Sequence, residues 1–203
     1  MSRQSVVDEL LQEHGTTYAE AAGIELADKP SPLYQLLVLT MVSSTRISAD
    51  IAVKAARELF SAGWRTPQRM LDSTWQQRVD ALGRGSYRRY DEGTATKLEE
   101  LSWMVLDEYG GDLRRIRPEG DHAADDLVEV IASFPRIGPM GARIFCREVQ
   151  DVWPEVRPFF DDRALKAADR LGLPTEPTKL ADLAPAGRVA VLAAALTRAK
   201  PKS

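Results

Sequence analysis

The segment PLYQLLVLTMV, residues 32–42, is apolar at nearly every position. A helix with apolar side chains on all of its faces has to be buried, so this segment predicts a buried helix. It is well short of the roughly 20 apolar residues that span a membrane. Because 44% of the 203 residues are apolar, the chain can form a core of sufficient size.

Other segments predict further short helices. Leu98, Leu101, Val105 and Tyr109 recur at helical spacing within residues 94–111. Ser48 is a candidate N-cap for the segment that follows it and ends before a glycine at position 63. No stretch alternates convincingly between apolar and polar residues as a strand would. The sequence therefore predicts an all-α protein of about ten short helices.

Charge and cysteine content narrow the class of function. The net charge of −3 and the pI of about 5.5 argue mildly against a nucleic-acid binder, although a local basic patch can exist within an acidic total. Cys146 is the single cysteine, and the two histidines are far apart in sequence, so we expect neither a metal site nor a cysteine-bound cluster. The first residues lack an apolar signal-type segment, and we expect a cytoplasmic protein without a membrane association.

The segment FPRIGPMGARIF, residues 134–145, predicts a sharp turn between two helices. Gly138 tolerates a positive φ, and the following proline suits the first position of a helix. The backbone N–H groups of Met140, Gly141 and Ala142 are then expected to point out of a helix N-terminus, where phosphate binds well. An ordinary packed pair of helices would also account for this turn.

Three segments together carry a family resemblance. FPRIGPMGA resembles the helix-hairpin-helix pattern of the endonuclease III-like (HhH-GPD) DNA glycosylases, with Arg136 in place of the first hairpin glycine. FFDDRALKAADRLG, residues 159–172, resembles the segment with that family's essential aspartate. LLVLTMVSSTRISADIAVKAARELF, residues 36–60, resembles its first long helix, the serine-containing loop and the next helix. The resemblance covers roughly residues 32–173.

This resemblance implies a two-lobed all-α fold with DNA in the cleft between the lobes. A six-helix barrel lobe is expected over residues 31–153, with the helix-hairpin-helix at 127–150. A second lobe is expected to combine residues 1–30 with residues 154–203. Double-stranded DNA is the implied partner, with the protein a nucleoid-associated monomer.

The resemblance also implies a catalytic role for Asp161, with Asp162 as the alternative. A carboxylate near the sugar can stabilise an oxocarbenium-like transition state and orient water. Asp161 is equally suited to cap the helix that follows it, and the two roles are compatible. Met140 occupies the place of the lysine found in members with lyase activity, and methionine cannot form a Schiff base. The implied enzyme is a monofunctional DNA glycosylase, and the alternative is a non-catalytic DNA-binding module of a repair pathway.

Further site residues follow from the same resemblance. The expected DNA-binding residues are Arg136, Gly138, Met140, Gly141, Ala142 and Arg143. The expected base-pocket or wedge residues are Arg46, Ile47, Tyr87, Arg88 and Tyr90. The alternatives are an ordinary helix-connecting loop around Arg46 and a solvated loop around Arg88. No iron–sulfur cofactor is expected, because the family's four C-terminal cysteines are missing, and a monovalent cation at the hairpin is possible. The sequence does not identify the base.

Overall fold

A computed structural model describes residues 2–199, which contain twelve α-helices, two short 3₁₀ helices and no strand. The α-helices are α1 Arg3–His14, α2 Tyr18–Ala21, α3 Pro30–Ser43, α4 Ala49–Ser61, α5 Pro67–Leu71, α6 Trp75–Arg84, α7 Asp91–Tyr109, α8 Ala123–Ala132, α9 Pro139–Val149, α10 Asp162–Arg170, α11 Pro177–Ala181 and α12 Val189–Arg198. The 3₁₀ helices are Leu113–Ile116 and Pro154–Val156. The all-α fold class predicted from the sequence is confirmed.

The apolar helix α3 lies in the hydrophobic core. Every residue from Leu33 to Val42 is buried, and α4 and α9 pack against this helix. The hydroxyl of Tyr34 is hydrogen-bonded to that of Ser102 on α7 at 2.7 Å, which satisfies both buried groups. In the part of the chain that the structure describes, no helix is long and apolar enough to cross a membrane.

The local signals in the sequence begin and end helices where they were expected. Ser48 caps α4, accepting a hydrogen bond from the N–H of Ile51. Gly63 follows α4 with a φ of 93°, a left-handed conformation that favours glycine. Pro139 occupies the first position of α9, where no N–H is required.

Two hydrophobic clusters divide the core. The larger cluster is built mainly from α3 to α9, and the smaller one from α1 and α10 to α12. Ala19, Ala22 and Ile24 belong to the larger cluster, although residues 1–30 were assigned to the second lobe. The predicted boundary at residue 30 therefore does not coincide with the division of the core.

The connection between α9 and α10 is fixed by side-chain hydrogen bonds to the backbone. The Gln150 amide is buried and donates to the carbonyl of Phe159 over 2.8 Å, while its oxygen accepts from the Phe159 N–H over 2.9 Å. The Asp151 carboxylate accepts from the N–H groups of Val189 and Ala190 at the start of α12, over 3.1 and 3.0 Å. These bonds hold the start of α10 and the start of α12 against the end of α9.

Candidate functional site

The turn between α8 and α9 carries its backbone strain at Arg136. Arg136 has a φ of 63°, in the left-handed region that favours glycine. Gly138 has a φ of −92° and a ψ of −179°, an extended conformation that any residue adopts. Gly138 tolerates a positive φ but does not adopt one, and the positive φ of this turn falls two residues earlier, where the Cβ of Arg136 makes it costly. Position 136, where the helix-hairpin-helix pattern has glycine, is thus the position whose backbone conformation favours glycine in this protein.

The N-terminus of α9 presents two free donors. Within residues 2–199, the N–H groups of Met140 and Gly141 have no hydrogen-bond partner. The Ala142 N–H donates to the carbonyl of Gly138 over 2.9 Å, and Ala142 is fully buried. The prediction that Ala142 contacts DNA is therefore wrong, because its donor is already used. The Met140 side chain is 75% exposed at the tip of the hairpin.

Gly141 allows the hairpin to approach the loop between α3 and α4. A Cβ atom added at Gly141 would lie 2.0 Å from Oγ of Ser44 and 3.0 Å from its Cβ. Ser44 follows α3 directly, so this contact joins the hairpin to the serine-containing loop. Only glycine permits an approach this close at that position.

A cleft of about 540 Å³ lies between this loop, the hairpin and the start of α10. Its volume is in the range of roughly 300–1,000 Å³ that is usual for ligand sites. The predicted site residues that line the cleft are Arg46, Ile47, Gly138, Met140, Gly141, Arg143, Asp161 and Asp162. The cleft thus brings together residues from three separate segments of the sequence.

Asp161 caps α10 and lies in the wall of the cleft. Its Oδ1 accepts a hydrogen bond from the Ala164 N–H over 2.9 Å, as the capping prediction requires. Its Oδ2 accepts from Nη1 of Arg147 over 2.6 Å. Asp161 is only 8% exposed, whereas Asp162 is exposed on the first turn of α10. Of the two carboxylates, Asp161 is the one that the surrounding structure holds in a fixed orientation.

From its position four residues after Arg143, Arg147 is equally suited to contact the DNA backbone or to pair with acidic residues on a surface; the structure shows it paired with an acidic residue, but buried. It is 5% exposed and lines the cleft, and its guanidinium carbon lies 5.0 Å from the ring centroid of Tyr18. The hydroxyl of Tyr18 is hydrogen-bonded to that of Thr197 on α12 at 3.1 Å. Burial lowers the pKa of Arg147, but the adjacent carboxylates of Glu148 and Asp161 outweigh it and raise the pKa above its usual value. Arg147 therefore stays a cation in the wall of the cleft.

The tyrosine- and arginine-containing loop before α7 lies apart from the cleft lining. Tyr87 is fully buried, with its hydroxyl 2.8 Å from that of Thr45 and donating to the carbonyl of Val42. The prediction that Tyr87 stacks on a base is therefore wrong, because its ring belongs to the core. Arg88 is exposed, and Tyr90 is half-buried; neither lines the cleft.

Tyr90 instead contacts the hairpin turn. The guanidinium carbons of Arg89 and Arg136 lie 5.3 and 5.7 Å from the centroid of its ring. Arg136 also approaches the start of α7, where a Cβ added at Gly93 would lie 3.0 Å from its Nη1. The strained residue of the hairpin is thus held against the loop before α7.

The cleft is locally basic in an acidic protein. Arg46, Arg143 and Arg163 come from the α3–α4 loop, α9 and α10, and all three line the cleft. None of them forms an ion pair with any residue between 2 and 199. Arg163 was not predicted, because its neighbours in the sequence are acidic and apolar residues without a basic cluster. The cleft therefore offers three unpaired cations.

A second cavity of about 950 Å³ lies on the other side of α9. Glu148 and Asp151 line it, together with residues of both charge signs such as Lys29, Arg65 and Arg188. None of the predicted site residues faces this cavity. Its larger volume does not make it the better candidate, since its charges show no preference for one sign.

Residues 2–199 hold no group of three or more metal-ligating side chains. Cys146 is buried, and burial raises the pKa of its thiol to about 12. A cluster bound by four cysteines does not fit a chain with one. The monovalent cation at the hairpin stays a prediction.

The structure has two helical lobes, a hairpin turn on one wall of the cleft and a helix-capping aspartate on another. These features define a helix-hairpin-helix fold of the endonuclease III type. Two solved structures share it: a trapped covalent endonuclease III–DNA intermediate, an estranged-adenine complex, and a non-covalent endonuclease III–DNA complex. Their TM-scores are 0.50 and 0.53, with 19% and 17% sequence identity over 97% of this chain and 85% of each of those chains. No protein-family model and no curated protein matches the sequence. The similarity establishes the fold that the sequence resemblance implied.

Proposed function

We propose that this protein is a monofunctional DNA glycosylase that removes a damaged or mismatched base by hydrolysis. The observation that carries the proposal is the position of Asp161, a fixed carboxylate in the wall of a cleft large enough for a nucleobase. The free helix N-terminus of the hairpin lines the same cleft. A base can reach such a cleft only when it is rotated out of the duplex.

The proposed reaction replaces a C–N bond by a C–O bond. The bond between C1′ of the sugar and the base nitrogen breaks, and the base leaves with the electron pair and gains a proton. Water adds to C1′ and loses a proton, which leaves an abasic site. The negative charge of Asp161 stabilises the oxocarbenium-like transition state and orients the water. Because each carboxylate oxygen has two lone-pair sites, the two existing hydrogen bonds leave acceptor capacity for this.

Strand cleavage is not part of the proposal. Lyase chemistry in this fold class requires an amine nucleophile, and the position that resembles it holds Met140. Methionine has no amine, so no Schiff base forms there. Neither a metal nor an iron–sulfur cluster is required for hydrolysis by a carboxylate and water.

We propose that double-stranded DNA binds across the cleft to a monomer. In this proposal the N–H groups of Met140 and Gly141, which line the cleft with Arg143, bind one phosphate. Arg46 and Ile47, which line the same cleft, enter the gap that a rotated base leaves. The endonuclease III structures that share this fold contain DNA, which supports the same class of ligand here.

A non-catalytic DNA-binding module is the second candidate. The observation in its favour is the short hydrogen bond from Arg147 to Oδ2 of Asp161, which engages one oxygen of the carboxylate in the free protein. The methionine in place of the lysine also favours it. A module of this kind would bind duplex DNA with a steep salt dependence and leave every base in place.

The test uses end-labelled duplexes, each with one damaged, mismatched or modified base. Each reaction is divided, and one half is treated with hot alkali, which cleaves abasic sites. We expect cleavage only after alkali with the wild type, none with Asp161→Asn, and a wild-type result with Asp162→Asn. Asparagine caps a helix about as well as aspartate, so Asp161→Asn keeps the helix cap and removes the charge.

Two results would contradict the proposal. If no duplex is cleaved in either half while all three proteins bind DNA equally, the non-catalytic module is correct. Cleavage without alkali would show a lyase activity that Met140 cannot provide.

A further inference from the structure

A buried ion triad extends from the cleft wall into the protein. Arg147 lies between two carboxylates, with Nη1 2.6 Å from Oδ2 of Asp161 and Nε 3.5 Å from Oε1 of Glu148. The other oxygen of Glu148 accepts a hydrogen bond from the Ala19 N–H over 2.9 Å. Arg147 also contacts the ring of Tyr18, the neighbour of Ala19 at the start of α2. The three charged groups therefore connect α2, α9 and the start of α10.

Glu148 sets the net charge of this triad. A pair of Arg147 and Asp161 alone would be neutral and would offer little attraction to a developing cation. Glu148 is 2% exposed, and neither its Oε1 nor Nε of Arg147 has a hydrogen bond to any described residue, so these two atoms interact as an ion pair at 3.5 Å. Burial raises the pKa of Glu148, and the guanidinium of Arg147 opposes that rise. With all three groups ionised, the triad carries one net negative charge.

We propose that Arg147 and Glu148 are positioning residues for Asp161. Arg147 fixes the carboxylate in its orientation toward the cleft, and Glu148 compensates the charge of Arg147 so that the net negative charge remains. This inference rests on the proposed glycosylase function, and it assigns two residues that the family resemblance did not indicate.

The geometry explains how Arg147 and Glu148 act through Asp161. The Ala164 N–H holds Oδ1 of Asp161, and Arg147 holds Oδ2, so both ends of the carboxylate are fixed. A carboxylate that is already oriented needs no reorganisation when positive charge develops on the sugar. Glu148 lines the cavity behind α9 and not the cleft, so it is out of reach of a bound nucleotide.

The experiment compares conservative variants of the triad with a more exposed set of ion pairs elsewhere. Glu148→Gln keeps the shape and removes the charge, and Arg147→Lys keeps the charge and removes the planar fork. The control is Arg117→Met, which breaks a bridge from Arg117 to Asp28 at 2.8 Å and Glu155 at 2.7 Å that lines neither cavity. Each variant is assayed for its single-turnover rate of base excision, its Kd for the duplex and its thermal unfolding, beside the wild type and Asp161→Asn.

We expect Glu148→Gln to lower the excision rate by about 100-fold with little change in Kd, since it removes the net negative charge beside the sugar and the loss of one preorganised electrostatic interaction costs on the order of that much. Arg147→Lys is expected to keep part of the rate, because an ammonium retains the charge but cannot hold both carboxylates as a guanidinium does. Arg117→Met is expected to lower the Tm and leave the rate of the folded protein unchanged.

The possible failures separate the two proposals. Wild-type rates in Glu148→Gln and Arg147→Lys, with Asp161→Asn inactive, would overturn this inference and leave the glycosylase function intact. Rates that fall only in proportion to the folded fraction would show a structural role and would also overturn it. If the wild type excises no base, or if Asp161→Asn is as active as the wild type, the proposed function is wrong and this inference with it.

Discussion

Replacing Gly141 by alanine tests how tightly the hairpin packs against the opposite loop. The new Cβ would lie 2.0 Å from Oγ of Ser44 and 3.0 Å from its Cβ. Oγ of Ser44 donates a hydrogen bond to the carbonyl of Thr40 over 2.7 Å. A rotation of the Ser44 side chain relieves the first contact and breaks this hydrogen bond. The second contact remains, because the Cβ position is fixed by the backbone.

The expected cost is the sum of three contributions. The lost hydrogen bond of Ser44 is worth about 1 kcal/mol. The remaining overpacking costs about 1–3 kcal/mol. Alanine at position 141 regains about 1 kcal/mol, because glycine is the poorer helix former. The net loss in the free energy of unfolding is about 2 kcal/mol, which lowers the Tm by about 4–8 °C for a chain of this length.

The assay is urea unfolding of the wild type, Gly141→Ala, Ser44→Gly and the double variant. Because glycine at position 44 removes both atoms that clash, the double variant is expected to recover most of the loss, with a coupling energy of about 2 kcal/mol. Gly138→Ser is the control within the same hairpin, since a Cβ at Gly138 meets nothing within 4 Å. Serine caps helices well, so the control is expected to be neutral or stabilising by up to about 1 kcal/mol.

Two results would refute this reasoning. If Gly141→Ala is as stable as the wild type, the hairpin and Ser44 are not in contact. If the stability losses of the two single variants instead add in the double variant, alanine at position 141 acts at a site other than Ser44.

Three further predictions follow from the cleft and its surroundings. Alanine at Arg46, Arg143 or Arg163 should each reduce the slope of log Kd against log salt for duplex binding by about 0.9, and unchanged slopes would exclude phosphate contacts. Arg136→Gly should weaken duplex binding. It should change the free energy of unfolding by less than about 1 kcal/mol, since the relief of strain at position 136 offsets the entropy gained by the unfolded chain. A larger loss in urea unfolding would show that the Arg136 side chain stabilises the turn. Because burial raises the pKa of Cys146 to about 12, a thiol reagent at pH 8 should react only after unfolding, and a rapid reaction of the native protein would contradict this.

The helices and the hairpin could be predicted because their signals are local. Ser48 begins α4 and Pro139 begins α9 through contacts with residues only a few positions away. The buried helix α3 is apolar on all of its faces, so no knowledge of its neighbours was needed. The capping role of Asp161 is local in the same sense, since its partner is the N–H of Ala164.

The pairing within the cleft could not be predicted because it depends on tertiary burial. Arg143 and Arg147 are one helical turn apart in the sequence and look equivalent. Arg143 nevertheless faces the cleft and pairs with no acidic residue in the described part of the chain, whereas Arg147 is buried against Asp161. Tyr87 and Tyr90 likewise lie in one irregular loop without a period, so the sequence does not indicate which ring enters the core. The one available signal was the Arg147–Glu148 pair within an otherwise apolar end of α9, where buried charges require partners.

The triad also makes the orientation of Asp161 dependent on the packing of the two lobes. Arg147 and Glu148 belong to α9 of the larger lobe, whereas Asp161 begins α10, whose apolar residues belong to the smaller cluster. The hydroxyl contact between Tyr18 and Thr197 joins α2 to α12 across the same junction. A small shift between the lobes would therefore lengthen the bond to Asp161 before either core is exposed. For this reason, variants at the junction are expected to lose excision activity at temperatures at which both lobes remain folded.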